Sequence, residues 1–189
     1  MGRVIAFEPQ PELIKELYAL KNEFAMHRLE IAEVGLSSSN KTVKMYRPKD
    51  HWGGATIEGN TKNGSIEELE VKVKTLDSYL AKENPSRIRF IKCDVEGHEF
   101  AALKGGIQTI EREKPEILLE CHDALNPNCA TFKLLKEIHY QGYCFFKGGI
   151  TAIENYGRLK EQGLLHRKAT DFIFAHKDRL QNLPLKLVG

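Results

Sequence analysis

Three acids and a histidine follow an apolar stretch in the middle of this 189-residue chain. The segment from Ile88 to Gly106 reads IRFIKCDVEGHEFAALKGG, with Asp94, Glu96, His98 and Glu99 at its centre. The apolar residues before this cluster predict a strand, and the residues after it predict a helix. Open α/β sheets bind their ligands beyond the carboxyl ends of strands, so this cluster is suited to acid–base chemistry or to aligning a reacting group.

A second acid occupies a similar position near the start of the chain. The segment from Val4 to Phe7 is apolar and predicts a buried strand that ends at Glu8, with a helix opening at Pro11. A carboxylate at a strand end can accept hydrogen bonds from both hydroxyls of a nucleotide ribose. Two acids at two strand ends therefore indicate a nucleotide-type cofactor on one side and the reacting groups on the other.

Helix-like and strand-like segments alternate along the chain, which predicts a single α/β domain over residues 1–189 with a doubly wound sheet. In the first helix, Leu13, Leu17, Leu20 and Phe24 fall on one face, which is expected to point to the core. A short strand is expected from Leu29 to Val34. Together these segments predict a strand, a crossover helix and a second strand.

An antiparallel insertion is expected in the first half of the chain. Period-two patterns run from Lys41 to Tyr46 and from Glu70 to Val73, and the polar, glycine-bearing residues 47–65 between them predict a long mobile loop. His51 and Trp52 lie in the middle of this loop. They are consistent with a lid over a ligand, and equally with a Trp that anchors the loop on the core.

The second half of the chain continues the alternation. A stripe of Leu103, Ile107 and Ile110 predicts one helix that stops before Pro115, and Glu116 to Cys121 predicts the next strand. The expected helix from Thr131 to Tyr140 closes at Gly142 as its C-terminal cap. Two late strands, Tyr143 to Lys147 and Asp171 to His176, are expected to form an antiparallel pair.

Composition excludes several classes of protein. The chain carries 28 basic and 26 acidic side chains without a clustered basic run, so it lacks the charge pattern that is typical of nucleic-acid-binding proteins. Its apolar runs are far shorter than the ~20 residues of a membrane span, which predicts no membrane contact and a cytoplasmic location. The four cysteines show no CxxC spacing, so they are expected to be small buried side chains rather than metal ligands or disulfides.

The segments VIAFEPQP and IKCDVEGHEFAALKG, with TLDSYL between them and KPEILLECH after them, resemble the FkbM-type family of S-adenosylmethionine-dependent methyltransferases. The resemblance implies a class I, Rossmann-like methyltransferase fold, S-adenosyl-L-methionine as cofactor, and O-methylation of a sugar, a polyketide or another small hydroxyl compound. By position, it implies that Glu8 binds the ribose and that the turn at Val34 and Gly35 approaches the adenine. Asp94 and Glu96 would then face the methionine end of the cofactor and the acceptor.

The chain departs from this family pattern at its start. The family opens with a strand and a glycine-rich loop of the form DxGANxG, whereas this chain begins only seven residues before Glu8. We therefore expect an N-terminally truncated copy whose sheet lacks its first strand and Gly-rich loop, with a sheet edge that permits self-association. The alternative function is a non-catalytic remnant that acts as a binding or assembly module.

The catalytic candidates are Asp94, Glu96, His98 and His122, and the cofactor-binding candidates are Glu8, Val34, Gly35 and Asp94. Asp94 and Glu96 are two apart, so on an extended strand end they would share one face. The two histidines are possible bases. The simpler alternatives are that the two acids cap the next helix and that each histidine only bonds a neighbouring loop. A divalent metal held by Asp94, Glu96, Glu120 and His122 is a competing possibility, although our prediction contains no metal.

Overall fold

The computed structural model describes residues 2–49, 54–59, 66–83, 87–126, 129–166, 169–182 and 187–188. The strands are β1 (Val4–Phe7), β2 (Leu29–Ala32), β3 (Gly35–Leu36), β4 (Lys41–Pro48), β5 (Ile66–Lys74), β6 (Phe90–Cys93), β7 (Glu116–Glu120), β8 (Tyr140–Phe146), β9 (Gly149–Ala152) and β10 (Asp171–His176). The α-helices are α1 (Pro11–Glu23), α2 (Leu76–Glu83), α3 (Glu99–Lys104), α4 (Ile107–Glu113), α5 (Ala130–Glu137) and α6 (Tyr156–Glu161). Within these ranges, no helix is both long and apolar enough to cross a membrane.

The strands form three sheets, and the mixed α/β class is confirmed. The largest sheet has the order β6-β7-β10-β8-β9, in which β6 and β7 are parallel and the other pairs are antiparallel. β1 pairs in parallel with β2, and β5 lies between β3 and β4 as the predicted antiparallel insertion. In the described part of the chain, β1 and β6 do not pair with each other, so one continuous doubly wound sheet is not observed.

The main core lies between the largest sheet and helices α3, α4 and α5. In β7, Ile117 and Leu119 alternate inward and are fully buried, and they pack in one cluster with Ile110, Leu135 and Phe172. This alternation is the period-two pattern of a strand with one face in the core. The cysteines are all buried, as predicted, and burial raises the pKa of the Cys93 thiol to about 12.

Helix α1 differs from its prediction. It begins at Pro11 as expected, but none of its residues is buried, and Leu20 and Phe24 are 44% and 61% exposed. The apolar spacing correctly identifies one face of the helix. It does not determine what covers that face, and the small sheet of β1 and β2 leaves it largely open.

The predicted mobile loop at 47–65 starts later than expected, while β5 begins at Ile66 as its end predicts. Arg47 and Pro48 belong to β4, and an isolated bridge joins Tyr46 to Thr56. The side chains with which the lid was proposed, His51 and Trp52, lie outside the described residues. Mobility of the loop stays a prediction.

The predicted cap at Gly142 is wrong. Helix α5 ends at Glu137, and His139, with φ of +66°, is the left-handed residue that follows it. Gly142 lies inside β8, where a Cβ atom would sit only 2.7 Å from the ring of Phe174. The glycine is therefore needed for the close approach of an aromatic ring, not for a helix end.

The predicted single helix through Leu103, Ile107 and Ile110 is also wrong, because the chain forms α3 and α4 instead. The break occurs at Gly105 and Gly106, which both pack tightly against neighbouring elements. A Cβ on Gly105 would lie 2.0 Å from the backbone oxygen of Ser37. Tertiary packing at this point decides where the helix stops.

Candidate functional site

Glu8 lies at the carboxyl end of β1 and is half-buried. Its Oε1 atom accepts a hydrogen bond from the backbone N–H of Gln10 at 2.8 Å. Burial raises the pKa of the Glu8 carboxyl, and the hydrogen bonds from Gln10 oppose this shift. Gln10 is itself buried, and its Oε1 atom has no hydrogen-bond partner among the described residues. This strand end therefore combines a carboxylate with a second, unsatisfied acceptor.

Val34 and Gly35 lie near the strand end that carries Glu8, because the backbone N–H groups of Glu8 and Val34 both donate to the carbonyl of Ala32. The parallel pairing of β1 with β2 brings Glu8 beside the bend that contains Val34, and Gly35 then opens β3. A Cβ on Gly35 would lie 3.4 Å from Cγ of Pro9 and 3.2 Å from Cγ1 of Val73. The structure therefore brings the three nucleoside-side candidates, Glu8, Val34 and Gly35, into one neighbourhood.

Asp94 and Glu120 meet at the carboxyl ends of the parallel strands β6 and β7. The interaction between their carboxyl groups lowers the pKa of Asp94 and raises that of Glu120. Lys92 Nζ donates to Asp94 Oδ2 at 2.6 Å, and Thr170 Oγ1 donates to Glu120 Oε1 at 3.1 Å. His122 Nε2 lies 3.8 Å from Glu120 Oε1. This group of side chains can hold and release a proton at the sheet edge.

The residues after Asp94 form a turn, which we call the acidic turn (95–98), instead of an extended strand end. Glu96 has φ of +49° and Gly97 has φ of +93°, so both are left-handed. Oε1 of Glu99 holds the turn by accepting hydrogen bonds from the backbone N–H groups of Val95 at 3.2 Å and Gly97 at 3.0 Å. The expectation that Asp94 and Glu96 share a strand face is therefore wrong, although both remain next to the strand end.

His98 is buried, and both of its ring nitrogens are engaged. Nδ1 lies 2.5 Å from Oε1 of Glu58, and Nε2 lies 3.0 Å from Oγ of Ser37. A general base needs a ring nitrogen that faces the substrate, so this geometry disfavours the predicted role of His98 as a base. His122, with a side chain that is 63% exposed, is the better candidate.

A metal centre has no support in the part of the chain that the structure describes. No group of three or more His, Cys, Asp or Glu side chains there is placed to hold a metal ion. Asp94, Glu120 and His122 do approach one another, but Lys92 already neutralises the Asp94 carboxylate. The approach of these groups is explained by hydrogen bonding between side chains.

Strand β3 connects the two candidate regions. Gly35 packs on Pro9, the neighbour of Glu8, while Ser37, two residues later, bonds His98 of the acidic turn. Two residues of extended chain span about 6.6 Å. The Glu8 strand end and the acidic turn therefore contact the same short segment.

Comparisons with known proteins identify the family of this chain. The family model described as the Methyltransferase FkbM domain matches residues 1–145. The chain belongs to the FkbM methyltransferase family. Among curated proteins, no sequence matches this chain.

The fold of this FkbM domain is similar to the crystal structure of Methyltransferase FkbM from Methylobacillus flagellatus KT, with a TM-score of 0.56 and 19% sequence identity. The similarity covers 92% of this chain and 36% of that chain. At this identity the likeness concerns the fold alone.

The part that matches the FkbM family model contains every candidate site residue, from Glu8 to His122. Strand β10 lies beyond it. Asp171 of β10 pairs in register with Glu120, and Thr170 just before β10 donates to the Glu120 carboxyl. The surroundings of the acidic pair therefore depend on a segment outside the matched range.

The sequence analysis misses several contacts of the candidate site residues. It predicts a role for Glu120 only as a metal ligand, although two parallel strands that both end in acids bring their carboxylates together. Ser37, Thr56 and Glu58 gave no local signal. They contact His98 and Glu96 across 40 to 61 residues of chain.

Proposed function

We propose that this protein transfers the methyl group of S-adenosyl-L-methionine to a hydroxyl group of a small acceptor such as a sugar or a polyketide. The observation that carries the proposal is the meeting of the Glu8 strand end and the acidic turn on β3. The first of these suits a nucleoside, and the second suits a reacting hydroxyl group. Membership of the FkbM methyltransferase family supports the same chemistry.

The Glu8 strand end fits the nucleoside part of this cofactor. The Glu8 carboxylate can accept hydrogen bonds from two hydroxyls, and the buried Oε1 atom of Gln10 is a further acceptor that lacks a donor. A buried polar atom left without a partner costs about 1–3 kcal/mol, so a ligand rich in donors is favoured here. Val34 and Gly35 would line the adenine. When bound, the cofactor supplies a methyl group on a positively charged sulfur.

At the other end, the chain must align the acceptor and take its proton. Glu120 and Lys92 keep Asp94 ionised, so its carboxylate can face the methionine end of the cofactor and accept a hydrogen bond from the acceptor hydroxyl. His122 is exposed beside Glu120 and can take the proton from that hydroxyl.

Calorimetry with S-adenosylhomocysteine tests the cofactor site. We expect Glu8→Ala to weaken binding by about 1.5 kcal/mol or more, roughly tenfold, because a charge-assisted hydrogen bond is lost. Glu16→Ala is the matched control, since Glu16 is exposed on α1, and it should leave the affinity unchanged. Absence of binding at millimolar ligand would refute the proposal for this chain.

Three finer expectations stay predictions. They are a doubly wound, Rossmann-like arrangement of the strands, self-association through an exposed sheet edge, and a cytoplasmic location. The alternative function, a non-catalytic binding or assembly module, has no support from the comparisons.

A further inference from the structure

The segment 54–59, between β4 and β5, reaches across to the acidic turn. Thr56 Oγ1 donates a hydrogen bond to the backbone carbonyl of Glu96 at 2.9 Å, and Glu58 Oε1 lies 2.5 Å from Nδ1 of His98. The two contacts are linked, because the backbone N–H of Glu58 donates to Thr56 Oγ1 at 3.1 Å. We call Thr56 and Glu58 the clasp. It contacts the turn on both sides of Gly97.

The clasp is anchored in the insertion. Thr56 and Tyr46 exchange two backbone hydrogen bonds of 2.8 and 2.9 Å, which fix the segment to β4. Ala55 is buried and packs with Met45 and Val71 in a small cluster under the hairpin. The clasp is therefore fixed to the β4–β5 hairpin by backbone hydrogen bonds and by packing.

The acidic turn is also held from the opposite side. His98 Nε2 bonds Oγ of Ser37, and the backbone N–H of Ser37 donates to the carbonyl of Lys74 at the end of β5 at 2.9 Å. A closed circuit of hydrogen bonds thus runs from the hairpin through the clasp and His98 to Ser37 and back to the hairpin. The circuit restrains the turn relative to β3 and β5.

The turn needs this restraint because its backbone is unfavourable. A left-handed conformation costs a residue other than glycine about 1 kcal/mol or more, and Glu96 adopts it with φ of +49°. Such a conformation persists only where surrounding contacts impose it. Asp94 lies immediately before the turn, so relaxation of the turn would displace its carboxylate.

We propose that Thr56 and Glu58 are positioning residues that hold the acidic turn, and through it Asp94, in the geometry that binds the methyl donor. This inference rests on the proposed function. It gives the insertion a role in cofactor affinity, and it makes His98 the link between the clasp and β3.

Titration calorimetry with S-adenosylhomocysteine tests the clasp through binding alone. Thr56→Val removes the hydroxyl at nearly constant shape, and Glu58→Met removes the acceptor; each should weaken binding about fivefold or more. Thr56→Ser and Glu58→Gln keep the hydrogen-bonding atoms and should stay within about twofold of the unmodified chain. Thr42→Val on the exposed side of β4 is the control and should have no effect.

Two outcomes separate this inference from the function on which it rests. If the unmodified chain binds S-adenosylhomocysteine while Thr56→Val and Glu58→Met keep its affinity within twofold, the positioning role is refuted and the cofactor site stands. The positioning role is refuted even if both variants melt at lower temperature, because a purely structural role predicts lower stability with unchanged affinity. If the unmodified chain does not bind, the proposed function itself fails, and the inference fails with it.

Discussion

Replacing Gly105 with alanine is expected to destabilise the fold by forcing α3 away from β3. An ideal Cβ on Gly105 would lie 2.0 Å from the carbonyl oxygen of Ser37 and 2.9 Å from its carbonyl carbon. The φ angle of Gly105 is −72°, which alanine adopts without strain. The destabilising part of the effect is therefore steric.

The size of the effect follows from which atoms collide. Non-bonded carbon atoms rest at roughly 3.5 Å or more, so relief of this contact requires a movement of more than about 1 Å. The opposing atoms are backbone, which cannot rotate away as a flexible side chain would. Overpacking costs typically 1–3 kcal/mol, and we expect the upper end, about 3 kcal/mol. The same movement would stretch the bond of 3.0 Å between His98 Nε2 and Ser37 Oγ.

Equilibrium unfolding in urea, followed by circular dichroism, measures this loss. Gly157→Ala is the matched control, because Gly157 lies in α6 and a Cβ there would meet no atom within 4 Å. That control should raise the free energy of unfolding by about 0.5–1 kcal/mol through better helix propensity. A Gly105→Ala variant within about 1 kcal/mol of the unmodified chain would refute the packing argument.

Two further predictions concern titration. Burial lowers the pKa of His176, whose Nδ1 accepts a hydrogen bond from the backbone N–H of Asp178 at 3.2 Å, so the folded state favours the neutral ring. Its contribution to stability should be complete above the unfolded pKa of about 6.5 and be lost as the pH falls below it. Urea unfolding from pH 8 to 5 should therefore show a fall in the free energy of unfolding, and this fall should be smaller in His176→Gln. Equal falls in the two proteins would contradict the prediction. Asp94→Asn should lower the pKa of Glu120, measured by carbon NMR of its carboxyl, because the neighbouring carboxylate that raises it is gone. The affinity of Asp94→Asn for S-adenosylhomocysteine should also fall. A chelator should leave the affinity of the unmodified chain unchanged. If a chelator abolishes binding and Mg²⁺ restores it, the result would point to a metal centre.

Much of the element pattern was predictable because it depends on neighbours in sequence. The bounds of the strands Val4–Phe7 and Asp171–His176 and the start of α1 at Pro11 agree with their predictions, but the expected burial of Val4–Phe7 is wrong, because none of its residues is buried. Thr75, a residue type that favours helix starts, caps α2, with its Oγ1 accepting a hydrogen bond from the backbone N–H of Ser78 at 3.1 Å. Apolar periodicity and capping residues are local signals, and a single sequence carries them completely.

The wrong predictions share a different cause. The expected cap at Gly142 and the expected single helix across residue 105 both follow local preferences, but each position is a glycine because a distant group packs against it, the Phe174 ring and the Ser37 backbone. Among the described residues, no layer covers the apolar face of α1. Local patterns do not contain the identity of a packing partner.

For the candidate site, the sequence alone determined which side chains stand at the strand ends, because a strand followed by a polar turn is a local pattern. It therefore identified Glu8 and Asp94 and the family to which the chain belongs. Only the tertiary structure decided their partners. The pairing of β6 with β7 joined Asp94 to Glu120, and contacts across 40 and 61 residues bound His98 to Glu58 and Ser37. Hydrogen bonding between distant segments depends on how the sheets and the hairpin pack. For this reason the sequence predicts His98 as a base, whereas the structure shows that His98 holds the acidic turn.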